Sequence, residues 1–84
     1  MKTLHLLYFA RLRERFGLER ETVRCNDGTA AELIDRLIAR GGAWREELAS
    51  GRPFRIAIDH DLVAPDAPLC DGAEVAIFPP VTGG

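Results

Sequence analysis

The stretch NDGTAAELIDRLIARGG, Asn26 to Gly42, constrains the architecture more than any other part of the chain. Asn26-Asp27-Gly28 is turn chemistry. Thr29 and Glu32 then have the spacing of a capping box, in which a hydroxyl and a carboxylate satisfy backbone N–H groups left over at a helix start. Leu33, Ile34, Leu37 and Ile38 follow on one stripe, Asp35, Arg36 and Arg40 face water, and Gly41-Gly42 marks a stop. A helix with a single apolar stripe needs a sheet to cover, and 84 residues leave room for one domain only.

The flanking segments supply that sheet. In TLHLLYFA, Thr3 to Ala10, Leu4, Leu6 and Tyr8 share one side and Leu7 and Phe9 the other, a pattern that predicts a central strand with apolar residues on both faces. Leu12 and Phe16 lie four apart and predict a helical turn ended by Gly17. A second strand is expected around Glu21 to Cys25. Trp44 and Leu48 suggest another helical turn, with Trp44 packing against the core edge. In FRIAID, Phe54, Ile56 and Ile58 should face in and Arg55, Ala57 and Asp59 out, with Asp59-His60-Asp61 turning the chain toward Leu62-Val63. The last strand runs from Glu74 to Phe78, and Pro79-Pro80 end it because proline cannot donate to a ladder. One main helix across a mixed sheet in this order is an α+β β-grasp arrangement, expected over residues 1–80 with an extended, flexible Gly-Gly tail over 81–84. Four residues beyond Pro80, at about 3.3 to 3.6 Å each, reach roughly 13 to 14 Å from the domain.

Composition narrows the function classes. Cys25 and Cys70 are far apart and form no CxxC or Cys/His cluster, so two reduced thiols and no metal are expected. The N-terminal apolar run is too short for a signal peptide or a membrane span, which makes the cytoplasm the default compartment. The net charge of −2 conceals a split: all eleven basic residues precede residue 56, whereas Asp59, Asp61, Asp66, Asp71 and Glu74 follow it unopposed. That acidic C-terminal third argues against nucleic acid and suits a basic rim or phosphate cleft on a partner beside the tail, or else is simply solvated.

Catalytic constellations are missing. Ser50 is the sole serine, His5 and His60 fall on a strand and in a turn, and no Ser-His-Asp or Cys-His set can be assembled. Lys2 is the sole lysine and sits at a terminus. What remains is the carboxylate of Gly84, reached past Gly83 without a Cβ to obstruct a narrow channel. A carboxylate becomes electrophilic only as a mixed anhydride such as an acyl-adenylate, so a second, ATP-using enzyme must activate it. The activated carbonyl can then accept sulfur or an amine.

LYFARLRERFG near the start and DGAEVAIFPPVTGG at the end resemble the family of molybdopterin synthase small subunits, the MoaD-type sulfur carriers with a ubiquitin-like β-grasp fold. The resemblance implies that Gly84 is adenylated by an E1-like enzyme, thiocarboxylated, and inserted into the large synthase subunit. There its sulfur passes to cyclic pyranopterin monophosphate in molybdenum cofactor biosynthesis, within a heterotetramer. The chain itself would bind no cofactor, ATP being used by the activating enzyme, and would need neither nucleic acid nor membrane. Gly83, Thr82, Val81, Pro80 and Pro79 match the inserted tail, Leu62 and Phe78 an apolar surface docking both partners, and Arg13 a polar contact. Asp59-His60 departs from the Asn-Gln-like turn of that pattern. The alternatives are a ubiquitin-like modifier joined through Gly84, a thiamine-pathway sulfur carrier, and an interaction module with an inert tail.

Overall fold

A computed structural model describes residues 1–49 and 51–80; Ser50 and the predicted tail, Val81 to Gly84, lie outside the described residues. In chain order the elements are β1 (Lys2–Tyr8), α1 (Ala10–Phe16), β2 (Arg20–Cys25), α2 (Ala30–Ile38), α3 (Gly42–Leu48), β3 (Arg55–Ile58), β4 (Asp61–Val63) and β5 (Glu74–Phe78). The strands form one sheet in the order β2-β1-β5-β3-β4. Only β1 and β5 run parallel, and the other three pairings are antiparallel. With the helices packed on one face, this is the expected β-grasp fold.

The helix start follows from its sequence. Thr29 Oγ1 accepts from Glu32 N at 3.3 Å, while the Glu32 carboxylate reaches past Thr29 to accept from Gly28 N at 3.1 Å. The stripe then delivers Ala30, Leu33, Ile34 and Leu37 into the core. The glycine pair acts later than expected: α2 ends at Ile38, and Gly41 and Gly42, with φ of 75° and 54°, turn the chain directly into α3. Those values lie in the left-handed region that glycine enters without a Cβ clash.

β1 corrects the sequence reading on one point. Leu4, Leu6 and Tyr8 are fully buried beneath the helices, but Leu7 is only half-buried and Phe9 is exposed, because no element covers the other face of the sheet. Ala57 differs in the opposite sense: it lies on the outer face as expected, yet it is buried between Ala76 and Leu62, its partners on the two neighbouring strands.

Tyr8 also anchors a network over the helix-side edge. Its hydroxyl donates to Glu21 Oε2 at 2.6 Å, and Arg40 holds both oxygens of the same carboxylate at 2.8 and 2.9 Å. The Arg40 guanidinium lies 4.5 Å from the centre of the Trp44 ring, which stacks on Phe16 and meets Tyr8 edge-on. Trp44 is therefore a packing residue, as expected. Burial, then the neighbouring carboxylate, hold the Tyr8 phenol protonated. Burial opposes ionisation of Glu21, but the Arg40 and Tyr8 hydrogen bonds prevail and keep its carboxyl below the usual range.

Candidate functional site

Side chains alternate along a strand, so whatever is not buried under the helices is presented on the outer face of the sheet. Register aligns that face into rows. Leu7 pairs with Ala76, Ala76 with Ala57, and Ala57 with Leu62, which makes an apolar row across β1, β5, β3 and β4. Two alanines between two leucines give it a shallow floor. The next row holds Phe78 opposite Arg55, and Phe9 meets the Phe78 ring edge-on with centroids 6.4 Å apart. Leu62 is 68% exposed and Phe9 45%. One exposed leucine is unremarkable on a protein surface, but a continuous row of apolar side chains on an uncovered sheet face is the kind of patch that partners cover.

The row leads to the base of the predicted tail. Arg55 opposite Phe78 is the last pair of the β3/β5 ladder, and Pro79 and Pro80 follow at once without an N–H to extend it. The start of α1 is tied to the same place, since Phe9 N donates to Ile77 O at 3.3 Å. Arg13 projects from that helix, exposed, and its side chain has no hydrogen bond or ion pair among the described residues. Leu62 and Phe78 thus share the outer face, with Arg13 on the helix next to it, whereas Val81, Thr82, Gly83 and Gly84 fall outside the described residues. Sequence reasoning places Ala57 outward and Ala76 on the face of Phe78 but does not join them into a row, and it misses Leu7 and Phe9 as members of this surface, because their alternation reads as burial on both faces.

The charge expectation is also corrected. The acidic residues of the C-terminal third do not flank the tail base. Glu74 begins β5 and Phe78 ends it, and Asp59 is fastened to Glu74 at the far end, donating from its own N to Glu74 O at 2.9 Å and accepting from Glu74 N at 3.0 Å. Asp59 and His60, with φ of 49° and 76°, form the two-residue turn between β3 and β4 there. Two non-glycine residues at positive φ are tolerated because the Asp59 clamp fixes the turn. Beside the tail base stand arginines instead, Arg11 and Arg13 on α1 and Arg52 and Arg55 at the entry to β3.

No acid–base or nucleophilic set accompanies this surface. Cys25 is buried and Cys70 exposed, both as free thiols. Among the described residues, no group of three or more His, Cys, Asp or Glu is placed to hold a metal ion. A depression of about 450 Å³ over His5, Leu7, Arg20, Thr22 and Glu74 lies on the polar part of the same face. Among the described residues no helix is long and apolar enough to cross a membrane. This geometry offers an exposed apolar row of the kind that partners cover.

The sequence pattern of the ThiS family matches residues 6–84. The chain belongs to the ThiS family. Within it, the chain is similar to the molybdopterin synthase sulfur carrier subunit of Escherichia coli, at 38% identity over 81 residues covering 96% of this chain and 99% of that protein. The corresponding subunit of Haemophilus influenzae is 33% identical, with the same coverage. Its fold is similar to a solved chain from the complex of subunits 1 and 2 of the molybdopterin-converting factor of Helicobacter pylori, with a TM-score of 0.70 and 26% identity, covering 98% of this chain and 99% of that one.

Proposed function

We propose that this ThiS-family chain is the sulfur carrier subunit of a molybdopterin synthase. The observation that carries the reading is the uncovered apolar row running to the base of a Pro-Pro segment, on a domain without a catalytic set among its described residues. The Gly84 carboxylate attacks the α-phosphate of ATP in an E1-like enzyme, releasing pyrophosphate and leaving an acyl-adenylate. A sulfur nucleophile displaces AMP, and the resulting thiocarboxylate enters the large synthase subunit. Sulfur is then donated to cyclic pyranopterin monophosphate, in a cytoplasmic heterotetramer.

Each part of the chain has a task in this cycle. Leu62 and Phe78 dock the large subunit and the activating enzyme in turn, and Arg13 adds a polar contact. Pro79 and Pro80 hold the departing backbone extended, and Val81 and Thr82 span the entrance. Gly83 and Gly84 let the reactive carbonyl pass a narrow channel. ATP belongs to the activating enzyme and no cofactor to this chain. The name of the E. coli relative and the two-subunit complex from H. pylori support the large-subunit partner.

Deleting Gly84 tests the reading. The truncated protein should fold with unchanged circular dichroism and lose thiocarboxylation and sulfur transfer completely, because the reactive carbonyl has left its register. Transfer at the wild-type rate by the truncated chain would overturn it, and Gly84-dependent conjugates on a denaturing gel would favour a protein modifier instead.

A further inference from the structure

The arginines around the tail base are arranged around a buried carboxylate. Glu47, on α3, is 4% exposed, and three guanidiniums from two other parts of the chain converge on it. Arg11 Nε lies 3.1 Å from one oxygen, Arg15 Nε 3.0 Å from the other, and Arg52 Nη1 3.4 Å from that second oxygen. A buried carboxylate is costly unless paired, and pairing it three times leaves an excess of positive charge. The three side chains remain 50%, 42% and 52% exposed, and with Glu46 they line a groove of about 440 Å³. Arg15 also holds Glu46, with Nη2 3.2 Å from both of its oxygens, and since each guanidinium carries five N–H donors, Arg11 and Arg52 keep donors that Glu47 does not use. Glu47 therefore serves as a scaffold that fixes the forks in place, which lowers the ordering cost of any later contact.

Arg55 continues this basic surface onto the outer sheet face. It pairs with Phe78 in the ladder, is exposed, and has no ion pair among the described residues. Arg11, Arg15, Arg52 and Arg55 together outnumber Glu46 and Glu47, so the surface that runs from this groove to the end of β5 is net positive. The opposite end, with Asp59, Asp61 and Glu74, is acidic, and the whole chain is net negative. A polyanion such as nucleic acid would be repelled by that charge at long range, whereas a short acidic rim would meet only the arginines.

We propose that this arginine surface docks carboxylates that rim the tail-accepting mouth of the large synthase subunit, steering the tail toward entry. The proposal rests on the function proposed above. Forked guanidinium–carboxylate pairs give orientation as well as attraction, which an apolar row alone does not supply.

The test is stopped-flow association of the full-length protein with the large subunit at low and at physiological salt, run beside a sulfur-transfer assay at saturating large subunit. The wild-type association rate should fall about tenfold or more as salt rises. R52E/R55E should lower the low-salt rate by about tenfold and flatten its salt dependence. Arg55→Glu alone leaves the three partners of Glu47 in place and should still lower the rate severalfold. Asp66→Lys, in the loop whose Ala67 carbonyl accepts from Ala30 N at the far end, should not lower it. Rates indifferent to salt and to both arginine variants, with sulfur transfer intact, would overturn the docking surface. Wild-type protein that associates as described but never transfers sulfur would overturn the proposed function and leave the docking surface standing.

Discussion

The two faces of the sheet are built from the same kinds of residue and serve opposite ends. On the helix side Leu4, Leu6, Tyr8, Val75 and Ile77 are sealed beneath α2, where Leu33 and Leu37 reach zero exposure. On the other side Leu7, Ala76, Ala57 and Leu62 line up as regularly, yet none of the described elements covers them. The inner face accounts for folding. The outer face adds little to it, and its apolar character fits the docking role proposed for it.

The contrast is broken most directly by truncating one leucine on each face. Leu33→Ala should cost about 2 to 5 kcal/mol, as large-to-small changes in a sealed core do. Leu62→Ala, from a side chain 68% exposed, should stay within about 0.5 kcal/mol of wild type in chemical denaturation. It should nevertheless weaken binding to the large subunit by tenfold or more, as central apolar anchors do. Equal destabilisation by the two changes would erase the distinction between the faces.

A second comparison sharpens the helix side through pH. Glu21 and Asp27 both have carboxyls held below their ordinary values of 4.5 and 3.8. For Asp27 the Arg36 guanidinium is the main cause, with Nε 2.7 Å from Oδ2. A carboxyl depressed in the folded state lends stability that is fully present above its unfolded pKa and disappears as pH falls through the folded value. Thermal stability should therefore decline below about pH 4.5, and Glu21→Gln should make that decline shallower while lowering stability at neutral pH. An unchanged acid slope in the variant would show that the Tyr8–Glu21–Arg40 network does not carry it.

The smallest effect is expected where the two faces meet. Ala10 has φ of 53° as the chain turns from the outer-face Phe9 into α1, a conformation that penalises any residue with a Cβ. Ala10→Gly should gain up to about 1 kcal/mol in urea unfolding, the relief of strain exceeding the added freedom of the unfolded chain. A loss of stability would mean that the turn is unstrained.

The β-grasp order was legible because it rests on local signals: the Thr29/Glu32 cap, the Leu33 to Ile38 stripe, and two-residue alternation in the strands. Leu62, Phe78 and the Pro79-Pro80 break could likewise be singled out from the sequence and a resemblance. What could not be read depended on register and on which face the helices take. Leu7 and Phe9 look like core until the outer face is seen to be bare, and four residues from four strands form one row only through strand pairing. Glu47 and its arginines were similarly hidden, since Arg11 and Arg15 reach it from distant sequence and only Arg52 is a near neighbour along the chain. Net charge by sequence thirds misled for the same reason, because strand direction carried the acids away from the tail.

The proposed function requires Gly84 to be activated and thiocarboxylated. Its most direct test is the intact mass of the full-length protein after incubation with ATP, a sulfur donor and an E1-like activating enzyme. The account predicts a mass gain corresponding to one oxygen exchanged for sulfur, localised to Gly84 by fragmentation. An unchanged mass, with the enzyme shown to be active on another carrier, would contradict it.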